Sequence, residues 1–254
     1  MTIKSRWDIP IPKCSLQQWI FGSCQGSLPD KQAFIDADRP DTHYLTFEEF
    51  RLLSKRVALG LQDAGLKPQD RVLLFSGNNI YFPSVFLGIL MAGGIFTGAN
   101  PTFVARELAY QLRDSGASFL IAAEGSLDTA LEAAAAAGLS RDRVYIFDST
   151  SNPRGRVPGK KGRQDGARHW TELIDGNTKR AAKWDWNEPS DPVNTTCCLN
   201  YSSGTTGVPK GVEISHQSYV ANGVQVVKVA EQDPEHHARL PKMRGLCFLP
   251  LYHA

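Results

Sequence analysis

The sequence carries little net charge, because its 28 lysines and arginines almost cancel its 26 aspartates and glutamates over 254 residues. This balance gives no reason to expect nucleic acid as a partner. Hydrophobic residues make up 42% of the chain and charged residues 21%, as in globular α/β proteins. These proportions exclude a disordered, collagen-like or coiled-coil chain, and the length allows one large domain or two small ones.

Cysteine is scarce and scattered. The five cysteines include no C-x-x-C pair, and an odd, dispersed set is a poor disulfide framework. We therefore expect free, mostly buried thiols in a reducing compartment. The first fifteen residues also lack the apolar run of a secretory signal, so we expect no such signal.

One stretch, between Arg71 and Arg106, has no charged side chain and has the length of a membrane span. Asn78 and Pro83 interrupt it early, and Gly93-Gly94 interrupts it late. It divides better into a buried strand, a turn, an apolar helix and another strand. A helix that is hydrophobic on every side lies between the layers of a fold, so we expect no transmembrane segment.

Strand and helix patterns alternate through the first part of the chain. The sequence Thr46-Phe-Glu-Glu49 forms a capping box and begins a helix with apolar side chains every three or four residues. Strands separated by helices of this length predict an α/β fold with layered, mostly parallel sheets and flanking helices. The predicted strands are 70–75, 95–98, 118–123 and 143–147, and the predicted helices are 81–92, 105–115 and 127–137. Gly116 and Gly138 are the expected stop signals of the last two helices.

A basic, glycine-containing segment at residues 149–168 is a candidate boundary, and the proline-containing stretch at 184–192 closes the first unit. The segment at 149–168 contains six basic residues and a single acidic one, Asp165, a composition typical of a solvated insertion or of a loop that contacts phosphates. We predict a first unit at 1–190 and the start of a second at 191–254. The second unit is predicted to contain strands at 196–201 and 212–215, a helix from His216 to about residue 232, and a buried strand at 246–251.

The segment 201–216, YSSGTTGVPKGVEISH, carries the chemistry. Its loop combines hydroxyl side chains, glycines and a lysine directly after a strand, where α/β sheets bind ligands. Glycines let backbone N–H groups turn into an anion-binding concavity, hydroxyls add donors, and a lysine supplies a positive charge for a phosphate oxygen. The candidate phosphate ligands are Ser202, Ser203, Gly204, Thr205, Thr206, Gly207 and Lys210.

Two better-known glycine loops are excluded. A Walker A loop needs G-x-x-x-x-G-K-[ST] before a helix, whereas Lys210 follows Pro209, precedes Gly211 and leads into a strand. This order excludes a P-loop kinase or GTPase. The G-x-G-x-x-G fingerprint of a Rossmann fold is absent as well.

The string YSSGTTGVPKGV resembles the phosphate-binding signature of the adenylate-forming, or AMP-binding, superfamily of acyl-CoA synthetases, luciferases and peptide-synthetase adenylation domains. Two other segments are similar to those of 4-coumarate–CoA ligases: GANPTFVARELAYQLRDSGASFLIAA at 98–123 and FLPLYHA at 248–254. The resemblance extends from about Trp19 to the last residue. It implies the incomplete N-terminal domain of an adenylate-forming enzyme.

The resemblance also implies roles for individual residues. The loop residues from Ser202 to Lys210 would hold the β- and γ-phosphates of ATP and steady the leaving pyrophosphate, with Mg²⁺ sharing the charge. Lys210 and His253 would be catalytic, His253 orienting a small carboxylic acid and Tyr252 lining its pocket. The acid would attack the α-phosphate to give an acyl-adenylate, and the thiol of coenzyme A would then displace AMP. No residue is predicted as a metal ligand, and His216 and His236-His237 are interpreted as structural and solvent-exposed, respectively.

Other family features are not found in the sequence, among them a Tyr-Gly-x-Thr-Glu segment and the lysine of a C-terminal domain. We therefore expect the 254-residue chain to bind ATP weakly and not to turn over. Two alternatives stay open: an adenylating enzyme with oxygen or a carrier protein as acceptor, and a truncated, non-catalytic member of the family. Aryl, medium-chain and long-chain acids all stay open, and no oligomeric state is indicated. The expected location is intracellular, cytoplasmic or peroxisomal, although Tyr252-His253-Ala254 is not a peroxisomal signal.

Overall fold

The computed structural model describes residues 7–148, 166–202 and 208–253. The strands in these ranges are β1 (Gln32–Ile35), β2 (Tyr44–Thr46), β3 (Arg71–Phe75), β4 (Ile95–Ala99), β5 (Ala117–Ala123), β6 (Val144–Phe147), β7 (Arg168–His169), β8 (Thr196–Ser202) and β9 (Lys210–Ser215). The α-helices are α1 (Leu16–Phe21), α2 (Phe47–Asp63), α3 (Phe82–Met91), α4 (Ala105–Ser115), α5 (Leu127–Ala137), α6 (Thr178–Lys183), α7 (His216–Ala230) and α8 (His236–Arg239).

Seven of the described strands form one sheet in the order β7-β6-β5-β3-β4-β8-β9. Neighbouring strands are parallel throughout, except for the antiparallel hairpin of β8 and β9. Strands β1 and β2 form a separate antiparallel pair. The predicted α/β fold with a mostly parallel sheet is thereby confirmed. Strands from both sides of residue 190 belong to this sheet, and the division of the chain at that position stays a prediction.

The central strand β3 shows how helices come to cover both faces of the sheet. Val72 and Leu74 pack in the cluster that includes side chains of α2 and α3. Leu73 and Phe75 point to the opposite face, into the cluster formed with α4 and α5. Because successive strand residues alternate between faces, a continuous apolar run is what a strand buried on both sides requires.

The local signals at the helix ends act as predicted. Thr46 Oγ1 accepts a hydrogen bond from Glu49 N at 3.2 Å, and Glu49 Oε2 accepts one from Thr46 N at 2.9 Å, which completes the capping box of α2. Gly116 and Gly138 follow α4 and α5 in the left-handed conformation, with φ of 63° and 75°.

The predicted buried strand at 246–251 is wrong. These residues form no strand, and Leu246 and Phe248 are 80% and 75% exposed. An apolar run becomes a strand only where its backbone pairs with a neighbouring strand, and backbone groups of this segment bond to the Asn78 side chain instead. The strand predicted at 212–215 begins two residues earlier, at Lys210.

The remaining expectations concern the basic segment, the cysteines and membrane insertion. Residues 149–165 of the basic segment lie outside the described ranges. All five cysteines are free, but only Cys197 and Cys198 are fully buried, while Cys247 is exposed. Within the part of the chain that the structure describes, no helix is long and apolar enough to cross a bilayer.

Candidate active site

The β8–β9 hairpin brings the two ends of the predicted phosphate loop together. Ser202, the last residue of β8, pairs directly with Lys210, the first residue of β9, and both are exposed. The other predicted phosphate ligands, Ser203, Gly204, Thr205, Thr206 and Gly207, lie outside the described residues, and their role stays a prediction. The backbone of Lys210 is therefore held at a paired strand end, and its exposed side chain is accessible to an anion.

Two tyrosines join this hairpin to helix α4. Tyr110 OH donates a hydrogen bond to the carbonyl oxygen of Pro209 at 2.9 Å, and Tyr201 OH donates to Asp114 Oδ2 at 2.6 Å. Partial burial raises the pKa of both phenols, and the nearby carboxylate of Asp114 raises it further. Both tyrosines therefore stay protonated donors at neutral pH. The sequence did not identify Tyr110 or Asp114 as part of the site, although both lie in the 98–123 segment that carries the family resemblance.

A pocket of about 390 Å³ opens between α4 and the hairpin. Its walls combine aromatic rings with the charged side chains of Arg106, Glu107 and Arg113. The other lining residues are Phe103, Tyr110, Gln111, Tyr201 and Pro209. Its size and mixed lining suit a small polar or aromatic molecule beside the hairpin.

The second predicted group, Tyr252 and His253, lies at the end of β4. The Tyr252 backbone rests against Gly98, where a Cβ atom would lie only 2.9 Å from Tyr252 Cα. The His253 side chain is exposed, Tyr252 is half-buried, and their ring centroids are 6.2 Å apart.

Asn78, just beyond β3, holds the segment that leads to these residues. Its side-chain oxygen accepts a hydrogen bond from Leu251 N at 2.8 Å. Its side-chain nitrogen donates to the carbonyl oxygens of Leu249 at 2.8 Å and Cys247 at 3.3 Å. One amide thus satisfies three backbone groups of a segment that has no strand partner.

A buried polar link fixes β4 against β8. Thr97 Oγ1 donates to the carbonyl oxygen of Leu199 at 2.9 Å, across the strand pair. Gln111 Nε2, from α4, donates to Thr97 Oγ1 at 3.0 Å and to the Gly98 carbonyl oxygen at 2.9 Å. Because β4 and β8 are parallel neighbours, their carboxyl ends lie at the same edge of the sheet. Tyr252, which contacts Gly98 of β4, and the turn of the β8–β9 hairpin therefore lie at that edge.

Three further histidines are interpreted from the sequence as structural or solvent-exposed. His216 is buried, and its Nδ1 accepts a hydrogen bond from Leu16 N at 3.2 Å, which ties α7 to α1. Burial lowers the pKa of His216 to about 4, so its ring is neutral near neutral pH. His236 is half-buried and His237 is exposed. The described ranges contain no group of three or more His, Cys, Asp or Glu side chains that could hold a metal ion.

Comparison with known protein families identifies the family of this chain. The family model of the AMP-binding enzyme matches residues 23–254. The chain belongs to the AMP-binding enzyme family. The family inferred from YSSGTTGVPKGV is thereby confirmed, and the matched region includes both the hairpin and the Tyr252–His253 segment.

Relatives of this AMP-binding chain are named as acid–CoA ligases. An acyl-CoA ligase of Aspergillus niger is 33% identical over 224 residues, which is 87% of this chain and 40% of that protein. 4-Coumarate–CoA ligase 2 of Oryza sativa is 29% identical over 255 residues, 97% of this chain and 41% of that protein. The chain therefore spans about two fifths of the length of these relatives.

Solved structures share the fold. A long-chain-fatty-acid–CoA ligase of Archaeoglobus fulgidus superposes with a TM-score of 0.71 at 20% identity, covering 96% of this chain and 44% of that one. An anthranilate–CoA ligase in complex with anthranoyl-AMP gives a TM-score of 0.65 at 23% identity, covering 82% and 36%. The architecture is that of the N-terminal part of an adenylate-forming enzyme.

Proposed function

We propose that this chain forms the phosphate-binding part of an ATP-dependent acid–CoA ligase. The observation that carries the proposal is the meeting of two groups at one edge of the sheet. Ser202 and Lys210 pair in the β8–β9 hairpin, and the Tyr252 backbone, with His253 next in the chain, lies against Gly98 of the neighbouring strand β4. A lysine for phosphate oxygens and an aromatic–histidine pair for a carboxylic acid, at the same edge of the sheet, suit the joining of ATP to such an acid.

Lys210 is the central residue of the proposed reaction. Its exposed ammonium would contact the β- and γ-phosphates together with the Ser202 hydroxyl and the loop residues 203–207. The substrate carboxylate attacks the α-phosphorus, the bond to the β-phosphate oxygen breaks, and pyrophosphate leaves with the electron pair. A fixed positive charge stabilises this developing negative charge.

His253 and Tyr252 serve the acid in this proposal. The exposed imidazole of His253 would orient the carboxylate, and the ring of Tyr252 would line its pocket. Coenzyme A, its thiol having lost the proton to solvent, then attacks the acyl carbon through sulfur. The bond between the acyl carbon and the phosphate oxygen breaks, and AMP leaves with that electron pair. The proposal leaves the acid open among aryl, medium-chain and long-chain classes.

Mg²⁺ has no cluster of protein ligands among residues 7–148, 166–202 and 208–253. The described residues therefore form no all-protein cage for the ion, and no step is assigned to it. In the proposed function Mg²⁺ arrives bound to ATP.

We propose further that the 254-residue chain binds ATP weakly and does not turn over. Ser202 and Lys210 are both solvent-exposed, so their contacts with phosphate compete with water and each adds little net free energy. The chain also spans only about two fifths of its relatives' length.

Equilibrium dialysis with radiolabelled Mg-ATP tests the phosphate site. Lys210→Ala should weaken binding by about fivefold or more, because a charge-assisted hydrogen bond is lost. Lys228→Ala, which removes an exposed lysine of α7 paired with Glu231, is the matched control and should leave binding unchanged. Equal affinity of both variants would refute the role of Lys210.

ATP–pyrophosphate exchange with a panel of aryl and fatty acids tests the chemistry. We expect ATP binding without exchange from the 254-residue chain. Exchange from this chain would contradict the proposal that it does not turn over. Exchange without acyl-CoA formation would favour another acceptor, and a folded chain that neither binds nor exchanges would favour a non-catalytic family member.

A further inference from the structure

We propose that Tyr110, Tyr201 and Asp114 are positioning residues for Lys210. They hold the backbone on both sides of this lysine against helix α4 and so fix where its ammonium can reach. The inference rests on the proposed function, because it takes the role of Lys210 to be phosphate binding. The contacts themselves involve only described residues.

The first contact lies immediately before the lysine. Pro209 has no N–H, so its carbonyl oxygen is the one backbone group through which it can be held by a hydrogen bond. Tyr110 OH donates to this oxygen at 2.9 Å from a position 99 residues earlier in the chain. The peptide group between Pro209 and Lys210 is thus hydrogen-bonded to α4.

The second contact lies immediately after the lysine. The ring of Tyr201 covers the backbone of Gly211, where a Cβ atom would lie 3.0 Å from Tyr201 Cζ and 3.2 Å from its hydroxyl oxygen. Tyr201 and Gly211 are also paired across the hairpin. A side chain at residue 211 would push the ring away, so the glycine after the lysine leaves the space that the ring occupies.

Asp114 fixes the ring that covers Gly211. Its Oδ2 accepts the Tyr201 hydroxyl at 2.6 Å, and a hydrogen bond to a carboxylate is stronger than one between neutral groups. The ring therefore has a defined position rather than a free rotation, with Gly211 on one side and α4 at its end.

Helix α4 is a rigid support for these contacts. Leu108, Ala109 and Leu112 bury its inner face in the core, and Gln111 links it to Thr97 and Gly98 of β4. The same helix thus sets the position of Lys210 and contacts the strand on which Tyr252 rests. Fixing a binding group before the ligand arrives reduces the entropy lost on binding.

Hydrogen–deuterium exchange of the 254-residue chain, with and without Mg-ATP, tests this assignment. Tyr201→Phe and Tyr110→Phe each remove one hydroxyl and leave the ring in place. We expect the amides of residues 210–213 to exchange about fivefold to tenfold faster in each variant, as the loss of one hydrogen bond predicts. Amides of β3 should be unchanged, and Mg-ATP should bind several-fold more weakly.

Two further variants make the test specific. Asp114→Asn keeps an oxygen acceptor for Tyr201 and should restore most of the protection that Asp114→Ala loses. Tyr145→Phe removes a hydroxyl that accepts a hydrogen bond from Arg168 at the other side of the sheet, so it should change neither exchange at 210–213 nor ATP affinity.

The outcomes separate this inference from the proposed function. If wild type binds Mg-ATP and the two hydroxyl variants bind it equally well, the positioning role is wrong. Faster exchange that is as large in β3 as in residues 210–213 would show a general loss of stability and would also overturn it. If wild type shows no ATP binding while the local exchange changes appear, the contacts fix the lysine but the proposed function fails.

Discussion

The backbone of Tyr252 lies directly against Gly98. A Cβ atom built on Gly98 would lie 2.9 Å from both Cα and the carbonyl oxygen of Tyr252 and 3.0 Å from its Cβ. Carbon atoms in favourable contact are about 3.5–4.0 Å apart, so no other residue type fits at position 98 without movement. Gly98 is also buried within β4, so the strand cannot easily move away.

Gly98→Ala should therefore displace the Tyr252–His253 segment from the sheet edge. Overpacking of this kind costs about 1–3 kcal/mol, and here part of that cost is relieved by release of the segment. We expect faster amide exchange at residues 250–253, measured by hydrogen–deuterium exchange. Gly77→Ala, at the same edge where an added Cβ has no neighbour within 4 Å, is the control and should leave exchange unchanged.

Asn78 provides a second, independent attachment of the same segment. Asn78→Ala removes one acceptor and two donors, so the backbone amides near Leu251 should exchange faster, at a cost of about 1–2 kcal/mol because the site is exposed. Asn78→Asp keeps the bond from Leu251 N but places a carboxylate beside two carbonyl oxygens. It should protect Leu251 more than Ala does while freeing Leu249, and equal exchange in the two variants would contradict this assignment.

The elements that the sequence predicts correctly are those whose causes are local. The capping box of Thr46 and Glu49 and the terminal glycines Gly116 and Gly138 act within a few residues of chain, so their pattern is sufficient. Strands β1 and β2 carry no such signal, because they are three or four residues long and mostly half-buried. The wrong strand at 246–251 shows the same limit, since an apolar run does not reveal whether a partner strand exists.

The candidate site divides in a similar way. Ser202, Lys210, Tyr252 and His253 could be named from motifs, because each motif is a contiguous string. The residues that hold them could not, since Asp114 and Tyr201 are 87 residues apart in the chain and Asn78 and Leu251 are 173 apart. Such pairs form only when the folded chain brings distant segments together, here a helix against a hairpin and a loop against a segment outside the sheet.

Gly60 is a test of packing away from the site. It lies within α2, where a Cβ atom would come to 2.0 Å from the carbonyl oxygen of Leu173. Alanine normally favours a helix by about 1 kcal/mol over glycine. Here we expect Gly60→Ala to lower the free energy of unfolding by about 3 kcal/mol, because either the backbone of α2 or that of Leu173 must move to make room for the methyl group.

Urea denaturation measures this change through the transition midpoint. Gly125→Ala is the matched control, since no atom lies within 4 Å of the added Cβ, and it should change stability by less than about 0.5 kcal/mol. Wild-type stability of Gly60→Ala would show that Leu173 can shift without cost and that the close packing of α2 is not required.

His216 predicts how stability depends on pH. Burial lowers its pKa to about 4, while an exposed histidine in the unfolded chain has a pKa near 6.5. Between these values the unfolded chain binds a proton that the folded chain does not. The stabilising contribution is therefore complete above about pH 6.5 and is lost as the pH falls toward 4, by about 3 kcal/mol in total.

His216→Asn isolates this contribution. Its side-chain oxygen can still accept the hydrogen bond from Leu16 N, but it does not titrate, so the variant should lose the slope between pH 6.5 and 4. Urea unfolding at several pH values gives the difference from wild type and cancels the effect of the carboxylates. His237→Asn, at an exposed position, should keep the wild-type slope. If His216→Asn keeps that slope too, the ring is protonated in the folded chain and its burial does not control the acid stability.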